Sequence, residues 1–384
     1  MRKTIQKYKV VVLFCCLLTA CTTMSDKQES DRMDWKLFRG DPGLSGYTDI
    51  TLPKNPILKW TYKSENRTIS SPIIDNGTTY WCDRRGRILG VNLNGELAFN
   101  FDLQTAVEAT PLIHDSILYI GRIDGFMTAI SLAQQDTLWN FETMGQISAS
   151  PNLVEYAGSK AIVFGNYDNY LYCLDVENGA ELGKFETGYY LNGAAALWND
   201  FIIFGGCDSW IRMIDSKKGI QTDSLVSDAY IPSSPAIMGD YCYIGDYSGN
   251  IYELILKNGK IDSHRKIFDE GDDNGSFVSV PAISKDALYF FSGNRELLAI
   301  NRTNGELIWK YMLKGNTGES SSVVCNNQII ACTKTGIISI LDARDGKLLW
   351  EYDTGEQIIS SPAVIKDHFM ILSASGTLFC FGKD

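Results

Sequence analysis

The sequence predicts an all-β fold, an eight-bladed β-propeller of four-stranded antiparallel blades. A positional pattern of about 40 residues repeats along the 384-residue chain, the period at which each repeat forms one sheet of a ring. Its copies open at Pro72, Pro111, Pro151, Ala195, Pro235, Pro281, Ser322 and Pro362. A glycine follows at a fixed offset in five of them, at Gly86, Gly125, Gly249, Gly336 and Gly376. Units close with a turn and an aromatic strand, as in Asn301 to Trp309 and Asp342-Ala343-Arg344-Asp345-Gly346 running to Trp350.

The first strand of each unit opens on small residues: Ser70-Ser71, Ser148-Ala149-Ser150, Gly193-Ala194, Ser233-Ser234, Ser320-Ser321 and Ser360-Ser361. Eight such strands crowd around a central axis, where only small side chains fit. A serine nucleophile is the alternative, but no histidine and acid stand in register with these serines. The middle strands alternate apolar and polar residues with period two, as in Ile117-Leu118-Tyr119-Ile120. Gly86 and Gly249 supply the positive φ that the hairpin after the second strand needs. Three strands of the last unit precede Asp384, so its fourth is sought elsewhere. Ile57-Leu58-Lys59-Trp60-Thr61-Tyr62 matches Leu348-Leu349-Trp350-Glu351-Tyr352 and stands before the first unit. An N-terminal strand is therefore expected to complete the last blade, closing the ring and removing an exposed edge. Residues 57–384 then hold about 41 positions per blade, with the largest expansions between Pro151 and Ala195 and between Pro235 and Pro281.

Residues 1–20 read as a lipoprotein signal peptide. Arg2, Lys3, Lys7 and Lys9 precede the apolar run from Val10 to Leu18, which is too short for a stable membrane span. Leu18-Thr19-Ala20-Cys21 resembles a lipobox, which makes Cys21 the expected lipidation site and acyl chains the expected membrane anchor. Residues 21–33 read as a polar tether, and residues 34–56 as an entry segment ahead of the propeller. Losing the signal would make the formal charge of −11 more negative by four. So acidic a body argues against nucleic acid as a partner.

Seven cysteines remain beyond Cys21: Cys82, Cys173, Cys207, Cys242, Cys325, Cys332 and Cys380. Their odd number and the lack of a Cys-x-x-Cys pair point to buried free thiols, with a Cys325–Cys332 bridge left open. His114, His264 and His368 are too far apart in the repeat for a metal site, and no metal is expected. The run from Asp269 to Gly275 could cup calcium, yet Pro281 falls where a bidentate acid would be needed. A solvated acidic loop is the preferred reading.

The motif Asp342-Ala343-x-x-Gly346-x-x-x-Trp350 resembles the tryptophan-docking repeat of PQQ-type (quinoprotein dehydrogenase-like) β-propellers. The resemblance covers essentially all of residues 57–384, and Trp35 to Gly40 with Leu52-Pro53 is similar to the entry segment of bacterial secreted members. It implies that Trp60, Trp139, Trp309 and Trp350 pack between neighbouring blades. Unit four has lost the tryptophan to Asp223, and unit five to a Ser/His stretch. The family has two functional branches. Quinoprotein dehydrogenases hold PQQ and calcium in the channel; BamB-type lipoproteins are non-catalytic scaffolds in outer-membrane β-barrel assembly. The dehydrogenases are longer and carry an adjacent-cysteine disulfide, whereas the one adjacent pair here, Cys15-Cys16, lies in the signal. No enzyme activity and no cofactor are therefore expected.

Six aromatics map to one rim. Tyr189, Tyr190 and Tyr230 precede first strands, while Tyr167, Trp210 and Tyr247 fall near the second-to-third strand hairpins of units three to five. Thr335, Gln357 and Ser375 occupy corresponding places in units seven and eight. This rim is the candidate partner-binding face; packing among the loops is the alternative. The expected function is a lipid-anchored envelope scaffold, facing the periplasm or the surface from the outer membrane, with the barrel-assembly machinery as partner. Capture of glycans or another envelope partner is the second reading, and a PQQ-dependent oxidoreductase the third.

Overall fold

A computed structural model describes residues 32–270, 277–293 and 295–384. Eight antiparallel four-stranded sheets form the ring, as the repeat predicts. Blades 1 to 7 run in chain order, their inner strands starting at Ile73, Leu112, Asn152, Ala196, Ala236, Ala282 and Val323. Blade 8 takes Ala363–Ile365, His368–Leu372 and Thr377–Gly382 from the end of the chain and Ile57–Lys63 from the other side. In that closing pair Trp60 lies opposite Cys380 and Tyr62 opposite Leu378. The turn glycines Gly86 and Gly249 have φ of 92° and 83°.

Residues 32–50 do more than enter the ring: they circle one mouth of it, and every blade bonds to them. Lys366 of blade 8 donates its N–H to Arg32 O, Trp35 pairs with Ile74 of blade 1, and Ile113 of blade 2 donates to Lys36 O. The Pro42 carbonyl accepts both the Leu197 N–H of blade 4 and the Asn152 amide of blade 3. Ile237, Ile283 and Val324 of blades 5, 6 and 7 then donate to Gly43, Ser45 and Gly46. Tyr47–Thr48 ends the circuit as a parallel fifth strand on blade 7.

Arg39 is the inward-pointing member of this strap and is 1% exposed. Its Nη1 donates to Ser322 O at 2.6 Å and its Nη2 to Pro281 O at 2.9 Å. Burial pushes its pKa down to about 9, with nearby Asp41 working the other way, so it stays ionised at neutral pH. A Cβ at position 46 would lie 2.0 Å from the Arg39 guanidinium, and φ there is +62°, so only glycine serves.

Three of the four tryptophans dock on the following blade through the same hydrogen bond. The Nε1 groups of Trp60, Trp139 and Trp309 donate to Leu93, Val176 and Ala343 of the following blade at 2.8, 3.1 and 3.0 Å. Each ring lies on the turn glycine of that blade; a Cβ on Gly346 would stand 2.7 Å from the Trp309 ring. Trp350 differs, because the outer strand of blade 8 arrives from the N-terminal side and no turn joins it to the third strand. Its ring packs edge-on to Phe381 instead, with centroids 5.5 Å apart. Where tryptophan is missing, other strands compensate. Tyr156 of blade 3 reaches over Gly219 of blade 4, and Phe201 of blade 4 reaches over Gly259 of blade 5.

All seven cysteines among the described residues are free thiols, and Cys325 and Cys332 do not pair. Six are buried, which raises the thiol pKa of each. The expected signal, Cys21 and the tether up to residue 31 lie outside the described residues, as do residues 271–275 of the acidic loop.

Candidate functional site

The strap covers the mouth beside the first hairpin of each blade. The opposite mouth is framed by the connectors between blades and by the second-to-third strand hairpins, and the six aromatics sit there. A staircase of backbone bonds positions them: the N–H of Tyr167 donates to Gln146 O, that of Cys207 to Tyr190 O, and that of Tyr247 to Tyr230 O. The register that locks each hairpin to its connector thus sets aromatic on aromatic.

Two stacks result. Tyr167 of blade 3 lies parallel to Tyr190 at 4.8 Å, and Tyr189 continues the set at 4.1 Å. On blade 5, Tyr230 stacks on Tyr247 at 4.3 Å. Trp210 stands apart at the start of its strand, opposite Val226. Tyr189, Trp210, Tyr230 and Tyr247 remain 40–48% exposed, while Tyr167 and Tyr190 are half-buried beneath them. The two readings of these residues therefore divide between layers, with an inner pair packing and an outer four facing solvent. The Tyr190 phenol is pushed up to about 12 by its hydrogen bond with Tyr189, and Tyr230 to about 12 by burial and by Tyr247. Both stay neutral.

The backbone beneath is fixed by side chains. Asp208 accepts the Gly188 N–H at 2.7 Å, next to Tyr189, and the Trp210 N–H at 3.2 Å. Burial would raise its pKa, but Arg212, bonded to both carboxylate oxygens, outweighs that and holds it low. Thr187 Oγ1 ties Asn169 O to Tyr189 O, and Ser227 Oγ does the same for Ser209 O and Ala229 O. Rings held in this way lose little freedom on binding, which lowers the cost of association. Met144, 92% exposed on the connector before blade 3, extends the apolar outline, as does Val226 at 52%. A search of the sequence for aromatics alone passes over both.

The channel between the two mouths is lined mainly by small hydroxyls, most of them engaged, together with Glu108, Asn192 and Glu319. Ser71 N–H donates to Thr110 Oγ1, Thr110 N–H to Ser150 Oγ, Ser321 N–H to Ser361 Oγ and Ser361 N–H back to Ser71 Oγ. These serines are a hydrogen-bonded belt around the axis. Phe38 of the strap reaches the channel lining, and the free volume is about 160 Å³, below the roughly 300 Å³ at which drug-sized ligand sites begin. Among the described residues no three acidic, histidine or cysteine side chains cluster as metal ligands.

The model of the family described as outer membrane protein assembly factor BamB matches residues 57–198, 214–318 and 273–382. Curated relatives of that description include proteins from Shewanella oneidensis, 23% identical over 128 residues, and Legionella pneumophila, 24% over 136. Those alignments cover 30% and 35% of this chain and 32% and 33% of the relatives, so the matched span is about a third of their length. Among solved structures, BamB from Moraxella catarrhalis superposes with a TM-score of 0.70 at 18% identity, over 85% of this chain and 97% of that one. Quinohemoprotein alcohol dehydrogenase from Comamonas testosteroni gives 0.74 at 12% identity, over 92% and 81%. At these identities the likeness is one of fold.

Proposed function

The chain belongs to the family of the outer membrane protein assembly factor BamB, and on that premise we propose that it is a non-catalytic protein-interaction scaffold of the cell envelope. It is anchored in the outer membrane by acyl chains on Cys21 and serves the assembly of outer-membrane β-barrel proteins. The observation that supports this is the preorganised aromatic face of blades 3 to 5, on the mouth that the strap leaves uncovered. Exposed tyrosine and tryptophan on a rigid frame are the residues that carry protein-interface energy. The engaged serine belt and the narrow channel favour a scaffold over an oxidoreductase.

Flat tyrosine faces also suit sugar rings, which keeps glycan capture as the second reading. A mild-detergent pull-down of the tagged, lipidated protein from its own envelope separates the two. The wild type is expected to enrich barrel-assembly subunits. Trp210→Ala/Tyr230→Ala is expected to lose them with its melting temperature unchanged. Recovery of a polysaccharide-handling complex instead would overturn the assembly role.

A further inference from the structure

Blade 5 departs from blades 2 and 6 at one repeated position. Across blades 2 and 6 the second, third and outer strands align Tyr119, Ala129 and Trp139, and Tyr289, Ala299 and Trp309. In both blades the tyrosine hydroxyl and the indole N–H donate to one carbonyl of the following blade, Val176 or Ala343. The same register in blade 5 holds Tyr243, Glu253 and Arg265. Arg265 Nη2 donates to Arg302 O at 3.0 Å, the place taken elsewhere by the indole. Its Nε donates to Glu253 Oε1 at 2.7 Å, and Tyr243 OH donates to Glu253 Oε2 at 2.8 Å.

Arg302 of blade 6 completes the arrangement. It is 9% exposed and donates to Tyr243 Oη, Ser284 O and Lys285 O, with its guanidinium 5.0 Å from the Tyr241 ring centroid. Beside this network a cavity of about 600 Å³ opens between the blades, within the roughly 300–1,000 Å³ of small-ligand sites. A hollow between blades 2 and 3 has the same volume but is lined no deeper than Tyr119 and Val176. That of blade 5 reaches inward to Glu253 and Ile255 and along the outer strand from Ser263 to Arg265.

Two features define what it takes. Met238, Ile255 and the 39% exposed Tyr241 supply apolar wall. The charged lining is cationic in balance, with Arg265, Lys285 and Arg302 against Asp240 and Glu253. Glu253 is paired with Arg265, which leaves Lys285 and Arg302 against Asp240. In a chain of net charge −11 a cationic cavity runs against the overall field.

We propose that this cavity is a binding site for an aromatic ligand bearing a carboxylate, the ring lying against Tyr241 and Ile255 and the anion toward Arg265 and Lys285. It lies beside the first hairpins of blades 5 and 6, the mouth opposite the aromatic rim, and does not depend on the scaffold reading.

Titration calorimetry of the full chain with indole-3-acetate tests it. A ligand of this size is expected to bind at about 1 mM. Indole-3-acetamide, which lacks the charge, is expected to bind at least about fivefold more weakly. Glu253→Ala/Arg265→Trp rebuilds the alanine–tryptophan pair of blades 2 and 6 and is expected to abolish the binding without lowering the melting temperature. Lys285→Glu, at an exposed position, is expected to weaken it about tenfold and covers the case in which the double variant fails to fold. The dipeptide Gly-Trp separates two sources of the same chemistry: tighter binding assigns the site to a polypeptide C-terminus, weaker binding to a free aromatic acid. No heat with indole-3-acetate up to about 10 mM, or equal binding by the rebuilt blade, would overturn the proposal.

Discussion

Replacing Arg39 with methionine tests whether the strap helps hold the ring together. The side chain is buried and its two best hydrogen bonds, at 2.6 and 2.9 Å, end on main-chain oxygens of blades 7 and 6. A hydrogen bond to a charged group contributes about 1.5–3 kcal/mol, so the two are worth roughly 3–6 kcal/mol before the cost of burying the guanidinium is counted. Methionine keeps most of the packing volume and removes that cost, but leaves both carbonyls without this partner. A net loss of about 2–4 kcal/mol remains. Spread over a chain of this length it lowers the melting temperature by about 3–5 °C. Urea unfolding gives the free energy, and amide exchange over residues 41–50 reports whether the strap loosens first. Arg39→Lys is expected to recover only part, since an ammonium lacks the planar fork that reaches two acceptors. If Arg39→Met unfolds at the wild-type urea midpoint with strap exchange unchanged, Arg39 is not a structural tie and the reasoning fails.

Closure and acid stability give two more predictions. Trp60→Ala removes a half-buried indole and its 2.8 Å bond to Leu93 O, and is expected to cost about 2–4 kcal/mol, with faster proteolysis near residues 57–63; an unchanged urea midpoint would remove Trp60 from the closing latch. Glu356 is held at about 2: burial alone would raise it, but hydrogen bonds from Ser373, Ser375 and Thr377, with Lys63 nearby, outweigh that. A carboxyl lowered in the folded state adds stability above its unfolded pKa, near 4.5, and loses it as pH falls toward 2. Allowing for its partial exposure, Glu356→Gln is expected to be about 1–2 kcal/mol less stable at pH 7 and to match the wild type near pH 2. A stability difference that stays constant from pH 7 to pH 2 would contradict this assignment.

Much of the ring was legible because it is written in apolar period and in glycine. The closing strand announced itself by matching Leu348–Tyr352, and Trp60 indeed lies in the last blade. The strap was not legible, because its bonds to the blades use mainly the carbonyls of residues 32–48, which any side chain leaves available. Compensation for missing tryptophans was hidden for another reason. Tyr156 and Phe201 come from inner and second strands, so no alignment of outer strands finds them. In blade 5 two register shifts on the long strand Lys260–Asp269 displace the count, so the repeat spacing does not bring Arg265 opposite Glu253. The rim could be placed on one face from sequence, but stacking depends on hairpin and connector lying side by side. Only the fold shows that Tyr167 and Tyr190 support the exposed layer.

The central claim is that the aromatic face of blades 3 to 5 holds a partner in barrel assembly. Photocrosslinking in the native envelope tests it most directly, with benzoyl-phenylalanine placed at positions 210 and 230 and, as a control on the strap face, at position 327, exposed in the first hairpin of blade 7. The account predicts adducts with barrel-assembly subunits at 210 and 230 and none at 327. Adducts with those subunits at 327 alone, or none at 210 and 230 while the protein still co-purifies with the machinery, would contradict it.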